Sequence, residues 1–310
     1  MLPRIVSISR RTDIPALHAA WLRARIEAGW LAYANPFTQQ PVLVNLAPEA
    51  VRAIVFWTRN PHPLLPHLDA IDARYPGRHY LHLTITGMGR RLEPRGPRVD
   101  VAVAAARALA ARYGPDYVRW RFDPIIVSDA TPLDTVTTRF ADICVHLAGV
   151  TRTCTVSFID RYGGALRGLR QRGIHLDTRY ASGVGADLAA QAALLANLCA
   201  IASGSGITVQ TCAESPLDGM VAGVQAGRCI DAAHIAALAP GPPPRVRATR
   251  EGCGCADALD VGAYDTCGHG CVYCYANQSP TAGTTGMAAW RRDGHPLDSV
   301  ADPFAHDLIT

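Results

Sequence analysis

The chain has 310 residues, 49% of them hydrophobic, and a formal net charge of +4. That length buries a large core and suits one α/β unit, with or without a small appended lobe, better than two independent domains. The modest charge neither demands nor excludes a nucleic-acid partner, whereas the absence of lysine (all 30 basic residues are arginine) excludes a lysine Schiff base and a P-loop lysine.

No stretch reaches the roughly eighteen consecutive apolar residues of a membrane span. Met1-Leu2-Pro3-Arg4 leads into strand-like sequence without a signal-peptide pattern. The expectation is a soluble cytoplasmic protein with no membrane partner, whose 10 cysteines are metal ligands or reduced thiols instead of disulfides.

Residues 4–9 read as a short β-branched strand ending at Arg10-Arg11-Thr12-Asp13, and a helical pattern over 16–28 follows, closed by Gly29. A second strand over 53–57 ends in Thr58-Arg59-Asn60-Pro61 and precedes a helix over 64–74. The third, 80–86, leads through a Pro- and Arg-rich loop to an Ala-rich helix over 101–113. The fourth, 117–122, ends at Asp123-Pro124 before a helix over 133–147; the fifth, 153–159, feeds Asp160 and a segment that Gly173 closes. A long helix over 186–202 precedes the sixth strand, 207–211. Strand and helix in alternation predict a parallel (β/α) barrel, or a partial TIM-like barrel of about six strands, over residues 1–211.

In such a fold the working groups come from the C-terminal ends of strands, which share one face. Ser9 to Asp13, Thr58 to Asn60, Thr84 and Thr86, Arg121 and Asp123, Ser157 and Asp160, and Gln210 and Cys212 are therefore expected to converge. Each alone is also an ordinary cap or turn residue. Arg119 and Arg121 share one strand face; two guanidinium groups there need an anion such as Asp13, Asp123, a substrate carboxylate or a phosphate. Trp57 and Tyr273 offer flat surfaces for an adenine, core packing being the plainer role for Trp57.

Past residue 211 the composition changes, and 212–310 reads as a cysteine-rich segment packed on the barrel mouth. Cys144, Cys154 and Cys199 lie in apolar stretches as small hydrophobes. Cys212, Cys229, Cys253 and Cys255 lie in loops rich in Gly, Asp and Glu, where four thiols satisfy a [4Fe–4S] cluster completely or a tetrahedral zinc. Cys267-Gly268-His269-Gly270-Cys271-Val272-Tyr273-Cys274 brings three more thiols together with spacing C-x3-C-x2-C. With His269 they make a zinc knuckle; without it they make a cubane with one iron lacking a cysteine. Beyond Asn277 helical periodicity is poor, so the tail is expected to drape over the barrel.

The C-x3-C-x2-C loop, with the aromatic Tyr273 before its third cysteine, resembles the cluster loop of radical S-adenosylmethionine enzymes. The Ile8-Ser9-Arg10-Arg11-Thr12-Asp13 segment, Arg121-Phe122-Asp123-Pro124, Cys253-x-Cys255 and Tyr264-Asp265-Thr266-Cys267 together resemble a bacterial family of unknown function that carries this loop near the C-terminus. The Arg-x-Asp-Pro strand end is weakly similar to the spore photoproduct lyase group, which points to nucleic acid as one substrate class.

The resemblance implies a [4Fe–4S] cluster on Cys267, Cys271 and Cys274 whose open iron chelates S-adenosylmethionine. An electron from a donor such as flavodoxin or ferredoxin then cleaves that cofactor to methionine and a 5′-deoxyadenosyl radical, which abstracts a hydrogen from a substrate the sequence does not name. On this reading Tyr273, Arg11, Thr58 and Asn60 contact the cofactor, and Arg121, Asp123 and Asp13 are the catalytic groups. A cluster loop displaced to the end of the chain amounts to a circular permutation and predicts that residues 259–265 run beside the first strand. Two other readings stand beside it: a zinc- or iron–sulfur-stabilised nucleic-acid-binding protein whose arginines meet phosphate, and a two-cluster electron carrier.

Overall fold

The computed structural model describes residues 2–294. Its strands are β1 (Arg4–Ile8), β2 (Trp30–Ala34), β3 (Pro41–Asn45), β4 (Val51–Thr58), β5 (His79–Thr84), β6 (Val118–Ile125), β7 (Thr153–Phe158), β8 (Thr208–Cys212), β9 (Gln225–Gly227) and β10 (Leu259–Asp260). Eight of them form one sheet in the order β10-β1-β4-β5-β6-β7-β8-β9, with every pairing parallel. The helices Ala19–Ala28, Leu68–Arg74, Val99–Tyr113, Leu133–Leu147 and Gly163–Gln171 each follow a strand of the sheet, and Leu188–Ser203 precedes β8. All six expected strands are present, as β1 and β4 to β8.

The sheet is open, since no pairing joins β9 to β10 among the described residues, but it is strongly curved. Cys229, just past β9, presents its carbonyl to Tyr80 Oη at 2.9 Å and His82 Nε2 at 2.6 Å, both on β5. A flat sheet would hold β5 and β9 four strands apart, about 19 Å, so only a curled one brings these groups together. Tyr80, His82, Arg119, Arg121, Thr155 and Gln210 line the concave side, where Gln210 Nε2 donates to Thr155 Oγ1 at 2.7 Å. The alternate residues face the helices: Trp120 stacks on Phe140 with ring centroids 5.0 Å apart.

Three elements escape the sequence pattern. The antiparallel hairpin of β2 and β3 is closed by Asn35, whose Oδ1 accepts from Phe37 N at 2.9 Å. Strands β9 and β10, of three and two residues, are too short to show a period. The third is a helix over Pro280–Asp293, capped by Ser279 Oγ accepting from Ala282 N at 3.1 Å, which corrects the expected irregular tail over that stretch. Its glycines weakened the signal, yet close packing requires them: a Cβ on Gly283 would stand 2.4 Å from Cys267 O, and one on Gly286 1.9 Å from Asp265 O. Residues 295–310 of the expected tail lie outside the described residues. No helix among the described residues is long and apolar enough to cross a membrane.

The last strand joins the first. β10 pairs with β1 (Val6 with Leu259, Ser7 with Asp260), so the approach expected of residues 259–265 is found. Asp260 fixes the join: its carboxylate accepts from Ser7 Oγ at 3.0 Å, Ser9 Oγ at 2.9 Å, Arg10 N at 3.0 Å and Arg10 Nε at 2.9 Å, and it pairs with Arg11 Nε at 3.4 Å. Burial would raise this carboxyl's pKa, but Arg10 and Arg11 outweigh burial and hold it below the usual range.

We expect Asp260→Asn, which leaves two guanidinium groups without their counter-charge, to cost roughly 3–5 kcal/mol in urea denaturation at pH 7. Because the folded pKa is depressed, this stabilisation is complete above the unfolded carboxylate value of about 3.9 and is lost as pH falls through the folded one. The gap between wild type and variant should hold from pH 5 to 8 and narrow below about pH 4; a gap that grows on acidification would contradict the assignment.

Candidate functional site

From Asp260 the chain runs onto the C-terminal ends of the strands, and the turn is tight: a Cβ on Gly262 would fall 1.8 Å from Ser9 Oγ. Thr12 Oγ1 then meets Ala263 O at 2.6 Å and Thr266 Oγ1 at 2.5 Å, which delivers Cys267 beside the end of β1. Asn277 Nδ2 donates to Cys267 O at 2.8 Å and closes the loop. Groups that follow other strands hold its far side. Leu92 O, after β5, accepts from Val272 N at 2.9 Å, Arg95 Nε donates to Gly268 O at 2.5 Å, and the helix after β7 presents Gly168 directly under Val272.

Beneath the loop lies a buried polar hub. Arg59, after β4, pairs with Glu93 and donates to Tyr273 Oη and to Thr86 Oγ1, both at 3.1 Å. Thr86 Oγ1 donates to Glu93 at 2.6 Å, and Tyr273 Oη donates to the same carboxylate oxygen. Asp13 forms the second anchor, accepting from Ala16 N at 3.0 Å, Arg59 N at 2.8 Å and His269 Nε2 at 2.7 Å. His269 Nδ1 faces Arg95 O at 3.4 Å, so both ring nitrogens have partners, and a carboxylate on Nε2 is also the partner that orients a metal-binding imidazole.

Burial pushes all three thiols of the loop upward: Cys267 to about 12 with Asp13 adding to it, and Cys271 and Cys274 also upward although Arg59 pulls both down. The thiols feel one another's charge, Cys271 that of both Cys267 and Cys274. A shallow cleft lined by Arg167, Cys271, Cys274 and Asn277 opens beside them. Among the described residues no group of three or more His, Cys, Asp or Glu is arranged to hold a metal ion. A cubane asks for something different from a single ion, because each thiolate meets its own iron and the three thiols need only border one hollow.

The other four thiols form a row of contacts. Cys212 Sγ lies 3.3 Å from Cys229 Sγ, Cys229 is hydrogen-bonded to Cys255, and Cys255 to Cys253. Ile230 N and Thr249 Oγ1 reach Cys255 and Cys253 Sγ, each at 3.5 Å. Two guanidinium groups flank the row: Arg121 Nη1 lies 2.7 Å from Cys229 Sγ, and Arg250 Nη2 3.8 Å from Cys212 Sγ. Arg121 also pairs with Asp123, which accepts from Ser157 Oγ, and Arg250 pairs with Asp160. Buried Glu214 accepts from Phe158 N at 2.9 Å, and its carboxyl is pushed up to about 8, by burial first and by Asp160 and Asp123 beside it.

The predicted residues thus fall into two places. Asp13 and Tyr273 join the Cys267 loop, Tyr273 with its hydroxyl turned into the hub; Arg121 and Asp123 join the Cys212 row. Arg11 serves the β1–β10 join, its Nη2 donating to Asp260 O at 2.8 Å. Thr58 and Asn60 spend their side chains on the turn after β4, accepting from Asn60 N at 2.9 Å and His62 N at 3.2 Å. Arg59, between them, is the residue that reaches the loop. Glu93, Arg250 and Asp260 carried no recognisable pattern, since each has its partners at least thirty residues away or in a connection of irregular sequence.

The fold and the site define an α/β protein with an open parallel sheet and seven thiols gathered in two sets. The chain belongs to the family described as Domain of unknown function (DUF1848), whose model matches residues 5–276. Neither a curated protein nor a solved structure matches it.

The contact under Val272 gives a direct test of how the loop is seated. A Cβ on Gly168 would stand 2.1 Å from Val272 O, closer than any packed pair allows, so Gly168→Ala must lift the Cys267 loop off its helix. Limited proteolysis should cut the variant within 262–280 several-fold faster than wild type, with far-UV circular dichroism unchanged. Equal cleavage rates would show that the loop is held elsewhere.

Proposed function

We propose that this protein is a radical S-adenosylmethionine enzyme whose [4Fe–4S] cluster is held by Cys267, Cys271 and Cys274. The observation that carries the reading is the donor set: three half-buried thiols on one loop over the strand ends, with His269 Nε2 held on Asp13 and Nδ1 turned to Arg95 O. Such a cluster, when bound with its cofactor, supplies reductive cleavage of the sulfonium and hydrogen abstraction by the resulting radical, chemistry that belongs to the cofactors. The chain's part is to position and to shield. Asp13 holds His269, and with it the first half of the loop; Arg59 and Glu93 hold Tyr273 and the second half. Thiols raised by burial keep their protons at neutral pH and would give them up to solvent on binding a metal. S-adenosylmethionine and an external one-electron donor such as flavodoxin or ferredoxin are the partners this reading requires.

Anaerobically reconstituted protein should show a [4Fe–4S] electron paramagnetic resonance signal that changes on adding S-adenosylmethionine, and dithionite should then release 5′-deoxyadenosine. Cys271→Ala, with two thiols left, should lose the cofactor-responsive signal and the cleavage. An intact reduced cluster in wild type that ignores the cofactor would overturn the proposal.

We infer further that Cys212, Cys229, Cys253 and Cys255 hold a second [4Fe–4S] cluster, supported by the continuous thiol contacts and the two guanidinium groups beside them. Wild type should then bind about eight irons and the variant with all four changed to alanine about four. Unchanged iron in that variant, or a wild type with about four irons and one zinc, would refute the second cluster and leave the first untouched.

A further inference from the structure

On the helix-covered side of the sheet, a cleft of about 680 Å³ lies between the helices Val99–Tyr113 and Leu133–Leu147, under the loop of residues 87–98. Val99, Val103 and Ile143 give it an apolar wall, and Arg90, Arg107 and Arg139 a cationic one. None of these three arginines forms an ion pair among the described residues. Arg90 Nη1 donates to Pro94 O and Gly96 O, both at 2.9 Å, and Arg107 Nη2 to His146 O at 3.2 Å. Arg139 Nη1 is buried without a hydrogen-bond partner among the described residues. Asp142 lines the same cleft and pairs with none of them, while Arg98 is already matched by Asp100 at 2.9 Å.

We propose that this cleft binds an organic phosphate, its body against Val99, Val103 and Ile143 and its phosphate on Arg107 and Arg139. The size lies within the roughly 300–1,000 Å³ of small-molecule sites. An apolar ligand would desolvate the guanidinium groups of Arg107 and Arg139 without giving them a counter-charge, which is costly; an inorganic anion would leave the apolar wall wet. Guanidinium forks match phosphate oxygens bidentately. Glu93 lines the cleft as well, and the roofing loop is the one whose Leu92 and Arg95 hold the Cys267 loop. An occupant therefore braces the support of the candidate cluster loop, and its binding does not depend on whether that loop carries a cluster.

Titration calorimetry of the full metal-free chain tests the site with adenosine and uridine 5′-monophosphates, ribose 5-phosphate, inorganic phosphate and adenosine. At least one phosphate ester should bind with Kd below about 1 mM, with adenosine silent and inorganic phosphate at least tenfold weaker; two charge-assisted contacts removed in Arg107→Gln/Arg139→Gln should weaken the ester about 100-fold. Arg23→Gln/Arg152→Gln, two exposed arginines outside the cleft lining, controls for the same change in net charge, and circular dichroism checks that the Arg107→Gln/Arg139→Gln variant is folded. No ester binding, equal binding by the double variant, or inorganic phosphate binding as tightly as the esters would each overturn the proposal.

Discussion

The carboxylate of Asp260 is the group on which the rest of the arrangement depends. It is buried, which by itself is costly, and it is stable there because it accepts hydrogen bonds from two serines and stands against two guanidinium groups. Those partners all lie some 250 residues earlier in the chain. By fixing β10 alongside β1 in parallel register, Asp260 sends the following residues out at the same end as β1. Cys267 thus emerges next to Asp13 because of strand direction alone, and loops after β4, β5 and β7 are there to receive it.

The concave face of the sheet is unusual in its chemistry. Where a barrel interior is normally filled by branched aliphatic side chains, this one carries His82, Arg119 and Arg121 with Trp57. Trp57 stacks on His82 at 4.3 Å, lies under the guanidinium groups of Arg121 at 5.2 Å and Arg10 at 5.9 Å, and donates to Ser7 Oγ at 2.9 Å. Burial and the two arginines of β6 drive the His82 pKa well down, so its imidazole is neutral. Its Nδ1 and Arg119 Nε have no hydrogen-bond partner among the described residues. Interiors built for stability avoid such groups, and their concentration here departs from local packing preference.

What could be read from the sequence divides along physical lines. Six strands were legible because β-branched runs of five or more residues leave a period, whereas β9 and β10 take their strand geometry from their neighbours. The helix over Pro280–Asp293 was hidden by Gly283 and Gly286, residues chosen for contact with the loop and against helix propensity. The thiol spacing of the Cys267 loop was visible because its ligands are consecutive in sequence. Its support was not: Glu93 is bound by Arg59, Thr86 and Tyr273, from three separate segments, and only the fold brings them together. Thr58 and Asn60 play the plainer part that the sequence also offered, each accepting a hydrogen bond within its own turn.

The pairing of charges explains why the two thiol sets differ. Arg121 and Asp123, two apart on one strand and therefore on one face, satisfy each other, as do Arg59 with Glu93 and Arg250 with Asp160. Two guanidinium groups share the single carboxylate of Asp260, and Arg119 adds another cation to the concave side. The groups next to Arg121 and Arg250 are Cys229 and Cys212, and there hydrogen bonding between the thiols and burial push the Cys212 thiol up, with Arg121 and Arg250 pulling against them, while the hydrogen bond from Cys255 holds Cys253 down to about 4. The Cys212 row therefore lies among ion pairs already matched within the protein. At the Cys267 loop the polar groups serve instead to hold the loop in place, Asp13 accepting from His269 and Glu93 pairing with Arg59.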